Sequence, residues 1–147
     1  MLKVYAQRVR FPPSPPPNYK KMKNVKHQLA ADFTAEVFRT LRANPDYKLY
    51  EAIEEASRHP APRFYIHSFD VALLYVGRLL RGKPLALKNP YKLAMYEELY
   101  RRYKEKHTGG RVNCDTLLQI TQQPAPSYYY NIESLRVLFY KYQKKQL

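Results

Sequence analysis

A chain of 147 residues with 45% hydrophobic residues is long enough for one core and too apolar to be wholly disordered. Its 26 Lys and Arg against 12 Asp and Glu give a formal net charge of +14. That balance says nothing about fold but favours a polyanionic partner, nucleic acid or an anionic membrane surface. The single cysteine, Cys114, excludes a disulfide framework and a cysteine-based zinc site, and fits a reducing, cytoplasmic setting.

The first 26 residues read as a basic arm. They carry Lys3, Arg8, Arg10, Lys20, Lys21, Lys23 and Lys26 and no acid. Phe11-Pro12-Pro13-Ser14-Pro15-Pro16-Pro17 forbids a helix and favours polyproline II, while Met1–Phe11 alternates weakly enough for one extended segment. Lys3, Arg8 and Arg10 interrupt the start, so it does not read as a signal peptide. Either the arm is a solvated tail or it orders on phosphate. The absence of acid favours phosphate.

Residues 27–147 read as one all-α domain of about six helices. A first helix, from about His27 to Ala43, carries Leu29, Phe33, Val37 and Leu41 with Ala30 and Phe38 in one wide apolar stripe. Asn44-Pro45 pairs a capping residue with proline and predicts the start of a second helix, lasting to about Arg58. A third helix follows Ser68, with Val71, Leu74, Tyr75 and Leu79, and stops at Gly82. Asn89-Pro90 opens a fourth, basic helix to about Lys106, with Leu93, Tyr96, Leu99, Tyr100 and Tyr103 along one side. Gly109-Gly110 break the chain, a fifth helix follows Asn113, and a sixth follows Asn131 with Leu135, Leu138 and Tyr142. The longest apolar run, Val71–Val76, is far too short to span a bilayer.

One stretch occurs twice. Pro60-Ala61-Pro62-Arg63-Phe64-Tyr65 returns 64 residues later (124 minus 60) as Pro124-Ala125-Pro126-Ser127-Tyr128-Tyr129. Each copy lies between two helical runs, which predicts duplicated helix–corner–helix units over about 46–81 and 113–145, linked by the basic helix at 90–107. The residue before each proline is pushed out of the α region, so each corner is extended and preorganised. Pro60, Pro62, Pro124 and Pro126 read as the stiff structural corners, and Phe64, Tyr65, Tyr128 and Tyr129 read first as core plugs at a helix junction. The functional reading is a helix-turn-helix-like unit that presents the third and sixth helices to a groove.

Charge marks where a polyanion would be held. Residues 27–77 carry five bases and seven acids, whereas 78–111 carry ten bases and three acids and 112–147 four and two. Candidate phosphate contacts are Arg8, Arg10, Lys20, Lys21, Lys23 and Lys26 in the arm, and Arg78, Arg81, Lys83, Lys88, Lys92, Arg101, Arg102 and Lys104 around the fourth helix. Arg136, Lys141, Lys144 and Lys145 add to these on the sixth. Around the fourth helix the bases interleave with Tyr91, Tyr96, Tyr100 and Tyr103, a mixture suited to phosphate contact with base stacking. The competing reading is a solvated face over a tyrosine-rich seam.

His27, His59, His67 and His107 have no metal-ligand spacing, and His67 reads as orienting its turn. No phosphate-cradling glycine loop or nucleophile motif is present, and Asp46, Glu51, Asp70 and Asp115 have no spacing that asks for a metal. No cofactor, metal or catalytic residue is expected.

The duplicated corner, with Lys88-Asn89-Pro90-Tyr91-Lys92-Leu93-Ala94-Met95-Tyr96 between its copies, resembles small basic proteins of bacterial phages and mobile elements over Tyr50 to Tyr142. The resemblance implies that setting and no defined activity or site residue. The expectation is a non-enzymatic nucleic-acid-binding protein, DNA or RNA. The alternative is a structural, assembly or ribonucleoprotein accessory subunit, docking on a protein partner or on another copy through its arm and tyrosines.

Overall fold

The computed structural model describes residues 24–106 and 111–147. The expected arm, apart from its last residues, lies outside them. The order is α1 (Val25–Ala43), α2 (Leu49–Ala56), α3 (Phe69–Leu80), α4 (Pro90–Lys106), α5 (Cys114–Thr121) and α6 (Ile132–Gln143). The protein is all-α, and one isolated β-bridge stands outside the helices.

Local chemistry sets most helix ends. Ser68 Oγ accepts the Val71 N–H at 3.3 Å, Asn113 Oδ1 the Thr116 N–H at 3.0 Å, and Asn131 Oδ1 the Ser134 N–H at 2.7 Å. Asn89 Oδ1 takes the N–H groups of Tyr91 and Lys92 at 2.9 and 3.2 Å, so four helices begin where a side chain satisfies an orphan donor. Gly82, at φ +76°, ends α3 in the left-handed conformation while the Lys83 N–H reaches back to the Arg78 carbonyl.

Asn44-Pro45 behaves differently from its reading as a helix start. The Asn44 side chain donates to the Thr40 carbonyl at 3.0 Å, so it closes α1. The next helix waits until Leu49, where Glu51 accepts the Lys48 N–H at 2.8 Å.

The bridge joins the two corners to each other. In Pro-Ala-Pro only the alanine keeps an N–H. The Ala61 N–H donates to the Ala125 carbonyl at 2.9 Å and the Ala125 N–H to the Ala61 carbonyl at 2.8 Å. The flanking prolines cannot lengthen the ladder, which stays one reciprocal pair.

Around it the rings stack crosswise. Phe64 lies on Tyr129 and Tyr65 on Tyr128, each pair at 6.1 Å between centroids and within 13° of parallel. Equal positions meet at the alanines and unequal positions exchange partners at the rings, the pattern a two-fold produces.

The helices follow the same symmetry. α1 buries residues at 29, 30, 33 and 37, and α4 buries them at 95, 96, 99 and 103, the same intervals. α1 packs on α2 and α6, whereas α4 packs on α5 and α3. The helix expected as a linker therefore stands in the second half where α1 stands in the first. Each half's third helix crosses to pack on the first helix of the other, and the result resembles a swapped dimer in one chain.

Two apolar faces differ from the periodic reading. α3 buries Phe69, Ala72, Val76 and Gly77 and leaves Leu74 56% exposed, because its apolar residues extend over more of its surface than its partner α4 covers. Phe38, counted in the α1 stripe, is 39% exposed and lies against Phe139.

Candidate functional site: a basic, tyrosine-lined cleft

The N-terminal turns of α1, α4 and α6 meet the exit of the first corner around a cleft of 430 Å³. Lys26 comes from α1, Asn89, Tyr91 and Lys92 from the start of α4, and Asn131 and Ser134 from the start of α6. His67, Tyr129 and Tyr130 complete it. A smaller cavity of 180 Å³ shares His67, Lys92, Tyr129 and Tyr130, and is closed by Tyr65, Tyr75, Met95 and Tyr96 beside the α3 cap Ser68.

The cleft straddles the internal two-fold. Lys26 precedes buried Leu29 by three residues, and Lys92 precedes buried Met95 by three, so the lysines occupy equivalent places in the two halves. His67 and Tyr130 each stand immediately before a cap, Ser68 and Asn131, and they hydrogen-bond to each other, Nε2 to Oη, at 2.8 Å. The second corner is one residue shorter on this side. Tyr129 makes up the difference at φ +58°, with its N–H on Ser127 Oγ at 2.9 Å.

The electrostatics favour an anion. Helix N-termini carry partial positive charge; the first turns of α1 and α4 contain no acid to oppose it, and Glu133 in the first turn of α6 is paired with Arg136. Burial holds the His67 imidazole below its ordinary 6.5, and the charges of Lys92 and Lys26 push it further down. Burial likewise raises the Tyr129 and Tyr130 hydroxyls, and Tyr96 is pushed up to about 12.

The other expected contacts fall elsewhere. Arg102 donates to the Pro124 carbonyl and to Glu98, both at 2.8 Å, reaches Gln123 at 3.3 Å, and lies over the Phe64 ring at 5.0 Å. It holds the place that Glu36 holds in the first half, where Glu36 takes His59, the residue before the first Pro-Ala-Pro, at 2.6 Å. Arg102 therefore clips a corner to its helix. Arg101 is bound to Glu98 and Glu105 at 2.8 Å each, and Arg136 to Glu133 at 2.6 Å.

Arg78 donates to the Pro84 carbonyl at 3.1 Å, and the Arg81 guanidinium lies against Gly77. Lys104 lies over the Tyr100 ring at 5.6 Å. Lys83 and Lys88 are exposed between α3 and α4, as are Lys141, Lys144 and Lys145 at the end of α6. Arg8, Arg10, Lys20, Lys21 and Lys23 lie outside the described residues.

The acids of residues 27–77 serve the frame. Asp32 accepts the Tyr65 hydroxyl at 2.6 Å and has Arg63 Nε at 3.3 Å, an ion pair without hydrogen-bond alignment. Glu55 accepts the Tyr47 hydroxyl at 2.7 Å. Pro60, Pro62, Pro124 and Pro126 are exposed rims, whereas Phe64, Tyr65 and Tyr128 are buried and Tyr129 half-buried.

Of the expected phosphate contacts only Lys26 and Lys92 meet in the cleft. His67, Asn89 and Asn131 were legible as turn and cap residues, and Tyr91 as one ring among several. The signal that unites them is the matched position of the two lysines in the halves.

Among the described residues no three His, Cys, Asp or Glu side chains gather as a metal site, and no helix is long and apolar enough to cross a membrane. No protein family, curated protein or solved structure matches this chain.

Proposed function

We propose that this is a non-enzymatic nucleic-acid-binding protein that takes phosphate in the cleft on its internal two-fold. One observation carries the reading. Lys26 and Lys92, equivalent in the two halves, line the same cavity with His67 and the first turns of capped helices. Ammonium groups and the positive ends of helices together suit phosphate oxygens. Exposed lysines outside the cleft would add non-specific attraction, and a phage or mobile-element setting agrees with the reading.

The test is binding of labelled duplex DNA, single-stranded DNA and structured RNA across a salt series. Affinity should fall steeply with salt, and Lys26→Gln and Lys92→Gln should each reduce the log–log slope by about 0.7–0.9. Variants that bind as tightly as the parent, with the same slope, would overturn the assignment.

A second reading rests on Leu74 and Val137, exposed at 56% and 50% two residues after buried Ala72 and Leu135, at matched places on α3 and α6. A protein partner covering these residues would bind with little dependence on salt and would be lost in Leu74→Ser or Val137→Ser.

A further inference from the structure

We infer that the cleft accepts one unpaired nucleotide of a single strand, with its base against tyrosine rings and its phosphate between Lys26 and Lys92. This rests on the nucleic-acid reading above and narrows it to a strand whose bases are free.

Size and shape point this way first. The cleft measures 430 Å³, within the roughly 300–1,000 Å³ of sites that enclose a small organic group. A duplex carries its phosphates on the outside of a wide rod and keeps its base faces stacked within. It can touch the rim of such a cavity but has no base face to offer the interior. A strand with one base turned out has both.

The lining chemistry points the same way. Tyr91 is 42% exposed in the first turn of α4, immediately beside Lys92. The Tyr130 hydroxyl is held by His67, which fixes that ring at the cleft wall. Ring faces beside ammonium groups are the means by which proteins grip single strands, stacking on any base while cations follow the backbone. Asn89 and Asn131 spend their side-chain carbonyl oxygens on helix caps, which leaves the NH2 groups to donate. With both lysines these form a set of donors suited to a ligand rich in acceptors.

The departure from two-fold symmetry adds direction. Both halves keep the lysine, but Tyr91 stands where the first half has Val25, which is buried. One side of the cleft thus offers charge alone and the other charge with an open ring. A symmetric ligand would gain nothing from that difference, whereas a nucleotide has a phosphate at one end and a base at the other.

The experiment uses the full chain and fluorescence anisotropy with labelled 12-mers of oligodeoxythymidine and oligouridine and a mixed-sequence 12-base-pair duplex. Thymidine monophosphate and inorganic phosphate serve as competitors. The tighter single strand should bind at least about tenfold more strongly than the duplex. Tyr91→Ala should weaken the single strand by about tenfold without changing its salt slope, and Tyr91→Phe should bind like the parent. Thymidine monophosphate should displace the strand at a concentration at least tenfold below that of phosphate. Thermal melting verifies that the Tyr91 variants are folded.

A duplex bound as tightly as either strand, still dependent on Lys26 and Lys92, would overturn the single-nucleotide site and leave the nucleic-acid reading standing. The site falls in the same way if Tyr91→Ala binds normally, or if phosphate competes as well as the nucleotide. Loss of lysine dependence with every probe would remove both readings.

Discussion

The two ends of α4 make the most instructive comparison in the molecule. The C-terminal end is richer in charge, with Arg101, Arg102, Lys104 and Lys106, yet Arg101 and Arg102 are committed to Glu98, Glu105 and the Pro124 carbonyl. It is also the negative end of the helix dipole, where an anion is least welcome. The N-terminal end has fewer bases, but Lys92 makes no ion pair among the described residues and stands over a cavity at the positive end. Lys92 carries charge that the fold has not already used.

The largest test of that difference is Arg102→Ala. It removes a bond to a carbonyl, two side-chain partners and a ring contact, and should cost about 2–3 kcal/mol in urea unfolding. Its single-strand affinity should stay within about twofold of the parent. A loss of binding with stability intact would make the C-terminal end part of the site.

Acid should separate the two ends by pH window. The hydrogen bond from Arg101 is the main cause holding the Glu98 carboxyl below its ordinary 4.5, with Arg102 assisting against burial. Its contribution is complete above about 4.5 and fades as pH falls through the lower folded value. His67 is also held low, below 6.5, so protonation opposes the folded state. Its contribution is complete above about 6.5 and fades as pH falls through its own folded value. Melting curves should show an upper shoulder of lost stability that His67→Gln removes and a lower one that Arg102→Ala shrinks. Bound phosphate, which favours the imidazolium, should suppress the upper shoulder.

Smaller effects sharpen the contrast. Arg101→Gln, on a side chain 57% exposed, should shift the urea midpoint far less than Arg102→Ala, because solvent screens its pairs. Lys92→Gln should leave stability within about 0.5 kcal/mol by the same urea assay while weakening phosphate binding. A Lys92 variant that unfolds readily would show that the lysine belongs to the frame.

Local features were readable wherever a residue acts on its own neighbourhood. Ser68, Asn89, Asn113 and Asn131 were legible as helix starts because a cap needs only the next three residues. Gly82 was legible as a stop for the same reason. Asn44-Pro45 carries a similar signature, yet its side chain turns back to Thr40, since a carbonyl acceptor one turn earlier competes for it. The buried face of α3 was not legible, because its apolar residues exceed one face and spacing alone does not say which of them the partner helix covers.

The sequence by itself determined six helices, two stiff corners and the excess of positive charge, since all three follow from composition and short-range chemistry. Only the tertiary structure decided that the corners bind each other, that α4 answers to α1, and that each third helix crosses to the opposite half. Those choices depend on long-range pairing of surfaces that one-dimensional spacing leaves equivalent. The cleft follows from them, since Lys26 and Lys92 meet only because the crossing brings the starts of α1, α4 and α6 to one place.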